Sequence, residues 1–275
     1  MKKIIAATDF SPNSENAVHY AADMAIVLGA ELHLLHVYSI PIPVSEVPIP
    51  VVDAKEIEED AREQLSKLRN KLFTRSNGRL FIQTELRSGN ITWEIEEYCK
   101  EIHPYAVVMG AETNGPVERM LFGGKTLSAI SKLDWPVLVI PQGVSFRSLK
   151  KIGLACDFRK VMDTIPVNEI TDLVKEFNAE LHVLHVSMDT SDDFTAETVV
   201  ESGWLQEILE DLHPKYHFIQ DENTDTAIAR FADQNNIDLL IVVPKKHGLL
   251  NRIFEHSHSK NLVLHSHVPV LSIHE

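Results

Sequence analysis

The sequence predicts an α/β fold made of two tandem five-stranded parallel sheets flanked by helices. The prediction rests on segments that occur twice along the chain. Residues 29–37 read GAELHLLHV and residues 178–186 read NAELHVLHV, with seven of nine letters identical. MKKIIAATDF at the start is matched by LKKIGLACDF at 149–158, and DWPVLVIP is matched by HVPVLSIH near the end. The segments follow in the same order both times, which indicates a duplicated domain.

The repeat divides the 275 residues into two domains, 1–145 and 149–275. A chain of this length holds one large domain or two ordinary ones. The period is far longer than the about 20–50 residues of a solenoid repeat, and it has the size of an independent domain. The join, QGVSFRSLKK, is short and polar, as expected of a linker.

Short apolar runs mark five strands in each repeat. In the first repeat they are 3–8, 32–37, 80–86, 105–110 and 136–141, and in the second KIGLAC, LHVLHV, YHFIQ, IDLLIVVP and PVLSIH follow in the same order. Segments with helical spacing lie between the runs. The clearest is 54–73, where apolar residues recur at steps of three and four: Ile57, Ala61, Leu65, Leu68 and Leu72. Near-continuous apolar strands separated by helices indicate a parallel sheet covered on both faces.

A ligand is expected at the carboxyl ends of the strands, because open parallel sheets bind ligands there. The positions to inspect are Asp9 and Asp157 after the first strands, Val37 and Val186 at the ends of the second strands, and the loop after each fourth strand. The last strand of each repeat is apolar and suited to an edge, so these strands could pair with each other or with a second chain. We expect the domains to pair within the chain, and a homodimer is the further option.

The composition limits the class of partner. The net charge of −14 argues against nucleic acid and anionic membranes, because both require a basic surface. No apolar run reaches the roughly 18 residues of a membrane helix, and the apolar start is too short for a signal-peptide core. Cys99 and Cys156 have no metal-binding spacing, which fits a reduced, cytoplasmic protein.

The loop after the fourth strand of the first repeat reads GAETNGPVERMLFGGKTLSAI over 110–130. Helical spacing resumes at Leu127, so the GGKT of 123–126 falls at the start of a helix. Glycines let backbone amides approach a phosphate, and a helix start offers free N–H groups and a positive dipole end. The segment is not a P-loop, because Arg119 stands where that motif needs a glycine and the GGKT does not directly follow a strand.

These features together resemble the universal stress protein family, and the resemblance covers nearly the whole chain as two tandem members. The shared features are the order of strands and helices, the aspartate after strand one, the long loop after strand four and a final apolar strand after a proline. The resemblance implies a nucleotide-binding-like topology of the adenine nucleotide alpha hydrolase type. It also implies a stress-response regulatory protein that binds ATP or another adenine nucleotide, with or without Mg²⁺.

ATP-binding members of the family carry G-x2-G-x9-G-(S/T) after strand four. The positions that the resemblance assigns to the site are Asp9 for adenosine, Val37 for adenine through its backbone, and the loop residues Gly110, Thr113, Gly123, Gly124, Lys125 and Thr126. Thr113 stands at the second glycine and Gly124 replaces the Ser/Thr, while Thr126 keeps a hydroxyl two residues later. A nucleotide site in the first domain is therefore expected, with an altered first turn of the loop.

The second repeat departs further from this motif. Pro244 takes the place of the first glycine and cannot donate an N–H group. His256 and Ser257 stand where Gly-Ser would be. We therefore expect the second domain to be degenerate for nucleotide binding.

Histidines cluster near the C-terminus, and four of them form two His-x-His pairs: His256, His258, His265 and His267. With Glu255 nearby they could bind zinc, and clustered imidazoles also titrate near neutrality. The competing interpretation, which we favour, is a polar surface cluster without metal. A histidine-based metal or pH sensor in the second domain is the weaker alternative function.

No nucleophile–base pair is evident, so we assign no catalytic residue. Slow ATP hydrolysis is the most that is expected, with Asp9 and Thr126 as metal and phosphate contacts. The main alternative to a nucleotide-binding regulator is a scaffold that binds no nucleotide, dimerises and contacts other proteins. The substitutions Thr113, Gly124 and Pro244 favour this alternative.

Overall fold

A computed structural model of the chain describes residues 1–40, 53–111, 124–187, 195–244 and 266–274. The elements of the first repeat are β1 (Lys3–Ala7), α1 (Pro12–Leu28), β2 (Glu31–Tyr38), α2 (Ala54–Arg75), β3 (Ile82–Ser88), α3 (Ile91–Ile102), β4 (Ala106–Gly110), α4 (Gly124–Lys132) and β5 (Val137–Ile140). Those of the second repeat are β6 (Lys151–Ala155), α5 (Val161–Thr164), α6 (Val167–Phe177), β7 (Glu180–Ser187), α7 (Ala196–Ile208), β8 (Lys215–Gln220), α8 (Thr224–Asn235), β9 (Leu239–Val242) and β10 (Val270–Ser272), with a 3-10 turn at Glu210–Leu212. Every predicted apolar run forms a strand.

The strands form one ten-stranded sheet in the order β3-β2-β1-β4-β5-β10-β9-β6-β7-β8. Neighbouring strands are parallel within each repeat, which confirms the predicted α/β class with five parallel strands per repeat. The two halves meet at an antiparallel pair in which Leu138 of β5 lies opposite Leu271 of β10. The two apolar last strands therefore pair with each other within the chain, so the expected separate sheets are joined into one.

The hydrophobic core has two layers, one on each face of the sheet, and both run through the junction between the repeats. Successive residues of β1 alternate between the layers, with Ile4 in one and Ile5 in the other. Each layer contains residues of both repeats, such as Val139 and Val270 in the second. Alternation in a strand that is buried on both faces is what places neighbouring residues in different layers.

Local sequence signals fix the helix that follows β1. Ser11 caps α1 by accepting a hydrogen bond from the Ser14 N–H at 3.3 Å, and Pro12 occupies the first helical position. The helix ends at Gly29, which adopts the left-handed conformation with φ of 58°. In the second repeat the corresponding stretch is broken into α5 and α6, because Pro166 lacks the N–H that a continuous helix requires.

The join between the repeats packs against the first repeat. The Asn16 side-chain amide donates to the carbonyl oxygens of Pro141 at 3.2 Å and Val144 at 3.1 Å. The Phe146 ring is 8 % exposed and meets the Tyr20 ring edge-on at a centroid distance of 5.2 Å. The segment predicted as a polar linker is therefore anchored by an apolar residue.

No helix among the described residues is both long and apolar enough to cross a membrane.

Candidate functional site

A cleft of about 360 Å³ opens at the carboxyl ends of β1 and β4 in the first repeat. Its volume falls within the range of small-molecule sites. The first turns of α1, α3 and α4 all contribute to its wall. The polar and backbone groups that line it include Asp9, Ser11, Asn13, Gly110, Thr126 and Gln142.

A network of hydroxyl groups connects the end of β1 to the start of α1. The hydroxyl oxygens of Thr8 and Ser14 lie 3.0 Å apart, and the Ser11 hydroxyl donates to the Ser14 oxygen at 3.3 Å. The Asp9 carboxylate accepts a hydrogen bond from the Ser11 N–H at 3.1 Å. Between them Phe10 takes a left-handed conformation with φ of 62°. These bonds hold the exposed Asp9 at the rim of the cleft.

Gly110 is required by the close approach of α1 to the end of β4. A Cβ atom at this position would lie 2.7 Å from the Asn13 carbonyl oxygen and 3.2 Å from the Ser14 nitrogen, which are both backbone atoms. The Asn13 side-chain amide donates across the same contact to the Ala111 carbonyl oxygen at 3.4 Å. The Thr126 hydroxyl of α4 donates to the Gly110 carbonyl oxygen at 3.3 Å. The end of β4 therefore ties both bordering helices to the sheet.

The electrostatics of the cleft combine one carboxylate with several helix starts. Among the described lining residues, Asp9 is the only one with a charged side chain. The starts of α1, α3 and α4 present the positive ends of their helix dipoles. Such ends bind phosphate and other anions, whereas a carboxylate accepts hydrogen bonds from hydroxyl groups. The donor set therefore suits a ligand that carries both hydroxyl and anionic groups.

The structure brings together three of the residues expected at the site, Asp9, Gly110 and Thr126. Val37 lies at the carboxyl end of β2, the strand beside β1, and is not among the residues that line the cleft. Gly124 begins α4 and Lys125 follows it in the helix. Thr113 and Gly123 lie outside the described residues.

Sequence reasoning missed several lining residues, among them Ser11, Asn13 and Gln142. A signal for the first two was present, because Ser-Pro after a strand is a typical start of a helix and places the following residues in its first turn. No such signal exists for Gln142, which lies in the join between the repeats and reaches the cleft only because β5 ends beside β4.

The second repeat forms the same turn after its first strand. Asp157 accepts a hydrogen bond from the Arg159 N–H at 3.2 Å, and Phe158 is left-handed with φ of 49°. The imidazole Nδ1 of His185 donates to the Cys156 carbonyl oxygen at 3.0 Å. In the first repeat His36 donates in the same way to the Thr8 carbonyl oxygen at 2.7 Å. These repeated histidines therefore stabilise the turn after each first strand. Because a carbonyl oxygen only accepts hydrogen bonds, Nδ1 of each ring carries a proton.

The groups on this turn differ between the repeats. Val161 and Met162 stand where the first repeat has Asn13 and Ser14. Val161 is 1 % exposed, and its N–H donates to a carboxylate oxygen of Glu201 at 2.8 Å. Glu201 reaches this position from α7 and is itself 8 % exposed. The second repeat thus has an internal carboxylate at the start of its helix and lacks the hydroxyl and amide groups of the first.

The other repeated histidines, His33 and His182, form hydrogen bonds with other side chains. His33 Nδ1 lies 2.6 Å from the Tyr98 hydroxyl, and His182 Nε2 donates to the Glu180 carboxylate at 2.7 Å. His182 Nδ1 lies 2.9 Å from Nε2 of His217, whose ring stacks on it. Desolvation lowers the pKa of each of these three imidazoles, which favours their neutral forms.

Of the C-terminal histidines, His256, His258 and His265 lie outside the described residues, and His267 is exposed. The described residues contain no group of three or more His, Cys, Asp or Glu that could hold a metal ion.

Comparison with known proteins assigns the family. The sequence model described as the universal stress protein family matches the chain twice, over residues 1–141 and 148–274. The chain belongs to the universal stress protein family. It is a tandem member, because the two matches cover nearly all of it. A comparison with curated proteins finds no match.

Two solved structures match the fold of this chain over its full length. A universal stress protein from Archaeoglobus fulgidus is 21% identical with a TM-score of 0.73, and the match covers 99% of this chain and 96% of that one. A functionally unknown protein from Pseudomonas aeruginosa is 13% identical with a TM-score of 0.61, covering 100% of this chain and 92% of that one. A universal stress protein in complex with cAMP is 18% identical with a TM-score of 0.40, covering 52% of this chain and 98% of that one. At these identities the two full-length matches show the fold alone.

Proposed function

We propose that the first repeat of this universal stress protein binds an adenine nucleotide, with or without Mg²⁺, and that the protein acts as a stress-response regulator. The observation that carries the proposal is that Asp9, Gly110 and Thr126 line one cleft. These residues are 101 and 16 positions apart in the sequence, and the family resemblance had assigned all three to the nucleotide.

The chemistry of the cleft supports a role for each part. Asp9 is exposed at the rim, where its carboxylate can accept hydrogen bonds from ribose hydroxyls. The start of α4, with Gly124 at its first position, supplies backbone N–H groups and a positive dipole end for a phosphate. Gly110 lets α1 approach the strand end closely, so that both contribute to the wall of the cleft. Val37, Thr113, Gly123 and Lys125 complete the site in this proposal.

The second repeat is the non-binding one in this proposal. Its helix start already has a carboxylate, because Glu201 binds the Val161 N–H. The Glu201 carboxylate at this helix start repels an anionic ligand. The proposal therefore expects one nucleotide per chain.

A matched pair of aspartates tests the proposal. Asp9 and Asp157 each accept one backbone N–H two residues later, at 3.1 and 3.2 Å, so removal of either loses the same local bond. Calorimetric titration with ATP and Mg²⁺ should show one site in the wild type. Asp9→Ala should weaken binding by about ten- to a hundredfold, as expected for a lost hydrogen bond to a charged group, and Asp157→Ala should leave it unchanged.

The other outcomes decide between the candidate functions. Equal losses in the two variants would show that the loss is not specific to the first cleft, and would contradict the contact assigned to Asp9. Absence of heat in the wild type would overturn nucleotide binding and favour the scaffold function. Light scattering would then measure whether the protein dimerises. Two sites per chain would contradict the assignment of the second repeat.

A further inference from the structure

Helix α4 belongs to the first repeat, but its last turn is bound by the second repeat. His274 lies two residues after β10, and its Nε2 donates to the Ile130 carbonyl oxygen at 2.6 Å. The proton is on Nε2, because a carbonyl oxygen only accepts. His274 is 9 % exposed and Ile130 is 3 % exposed, so the bond is shielded from water.

The bond lies close to the cleft. Ile130 is one of the last four residues before the end of α4, whose carbonyl groups lack partners within the helix. Four residues earlier, Thr126 lines the cleft and donates to the Gly110 carbonyl oxygen. Four residues of α-helix span about 6 Å. A side chain of the second repeat therefore holds α4 about one turn from the group that contacts the cleft.

The sheet fixes the position of His274. β10 pairs with β5 on one side and with β9 on the other. The N–H of Ile273 donates to the Val242 carbonyl oxygen at 3.1 Å and extends this pairing to the residue before the histidine. Ile130 of α4, and Leu133 directly after this helix, lie in the same apolar cluster as Val270 of β10. The contact is therefore made between a rigid strand end and a packed helix.

We propose that the second repeat is a structural part of the first repeat's cleft, with His274 as a positioning residue that holds α4 and thereby sets the affinity for an anionic ligand at the start of that helix. The role in affinity rests on the proposed nucleotide binding. The role in holding α4 does not, because it is measurable without ligand. The second repeat, which lacks the hydroxyl and amide groups of the first cleft, thus still contributes to ligand binding by the first repeat.

Hydrogen exchange of the peptides that cover 124–133 tests the holding role in the ligand-free full chain. His274→Leu removes the donor and should speed exchange in α4 by about tenfold, the factor that corresponds to about 1.4 kcal/mol for a lost buried hydrogen bond. His274→Gln should restore protection, because its side-chain amide nitrogen reaches about as far as the imidazole Nε2. His267→Gln is the matched control, because His267 belongs to the same segment and is exposed; it should have no effect.

Two results would overturn the holding role. One is exchange in His274→Leu that equals that of the wild type. The other is a Gln variant as unprotected as the Leu variant, because it would show that the ring acts by packing and not by its bond. If the Leu variant does not fold, His274→Asn replaces it, since its shorter amide keeps polarity without the reach.

Titration of the same variants with ATP and Mg²⁺ tests the role in affinity. The Leu variant should bind about fivefold more weakly, at the low end of coupling between sites, and the Gln variant should bind as the wild type does. Altered exchange without any change in affinity would refute this role. A wild type that binds no ATP would overturn the proposed function, and exchange alone would then decide whether the second repeat holds α4.

Discussion

Replacement of Gly110 by alanine tests whether the end of β4 needs a residue without a side chain. The added Cβ would lie 2.7 Å from the Asn13 carbonyl oxygen and 2.9 Å from its carbonyl carbon, where ordinary contact begins near 3.4 Å. The first turn of α1 must therefore move by about 0.7 Å, and that turn is fixed by its cap and by the hydroxyl network. Overpacking of this kind costs about 2–3 kcal/mol.

Gly153 in β6 provides a matched comparison in the second repeat. A Cβ there would lie 2.9 Å from Cδ2 of Leu240 and 3.3 Å from Cδ1 of Leu184, which are ends of side chains that can rotate away. Gly153→Ala should therefore cost about 1 kcal/mol or less. The contrast between backbone and side-chain neighbours, and not the degree of burial, sets the expected difference.

Urea unfolding followed by circular dichroism measures both variants. With a dependence of about 3 kcal/mol per M, Gly110→Ala should lower the midpoint by about 0.7–1 M and Gly153→Ala by about 0.3 M or less. Gly110→Ala should also weaken ATP binding, since the cleft wall moves. The reasoning is refuted if Gly110→Ala has the same midpoint as the wild type, or if Gly153→Ala is the more damaging of the two.

Two further predictions concern titratable groups. Burial lowers the pKa of four imidazoles in the folded chain: His19, His33, His182 and His217. Because these groups titrate near pH 6.5 in the unfolded chain, the unfolded chain binds protons that the folded chain does not as the pH falls, so the urea midpoint should decrease from pH 7.5 to pH 5.5. A midpoint that stays constant or increases over this range would contradict the prediction. Burial raises the pKa of the Cys99 thiol to about 12, whereas Cys156 is only partly buried, so iodoacetamide at pH 8 should label Cys156 first and Cys99 only after denaturation. Mass spectrometry of the alkylated peptides measures the order, and equal rates would show that Cys99 is accessible.

The strands and the duplication could be predicted because they are local properties. A short apolar run such as LHLLHV indicates a buried strand, and the similar run LHVLHV at 181–186 fixes the period of the chain. The placement of Asp9 at the carboxyl-end edge of the sheet follows from the same reasoning, because the carboxyl end of a parallel strand is known once the strand is known.

Part of the site lay beyond such reasoning. Gln142 reaches the cleft from the join between the repeats, and Glu201 binds the start of a helix 40 residues before it in the sequence. Neither position has a periodicity or a motif that marks it. Their roles depend on which elements pack together, and side-chain reach across such contacts is not encoded in spacing.

By itself, the sequence determined that this protein is a duplicated α/β unit with an acidic residue at the end of each first strand. The reason is that the repeat period, the apolar character of each strand and the strand length follow directly from the order of residues along the chain. Only the tertiary structure decided that the halves share one sheet through β5 and β10, and that His274 of one repeat supports a helix of the other. The reason is that two apolar edge strands can pair with each other or with a strand of another chain, and which pairing forms depends on the geometry of the whole sheet.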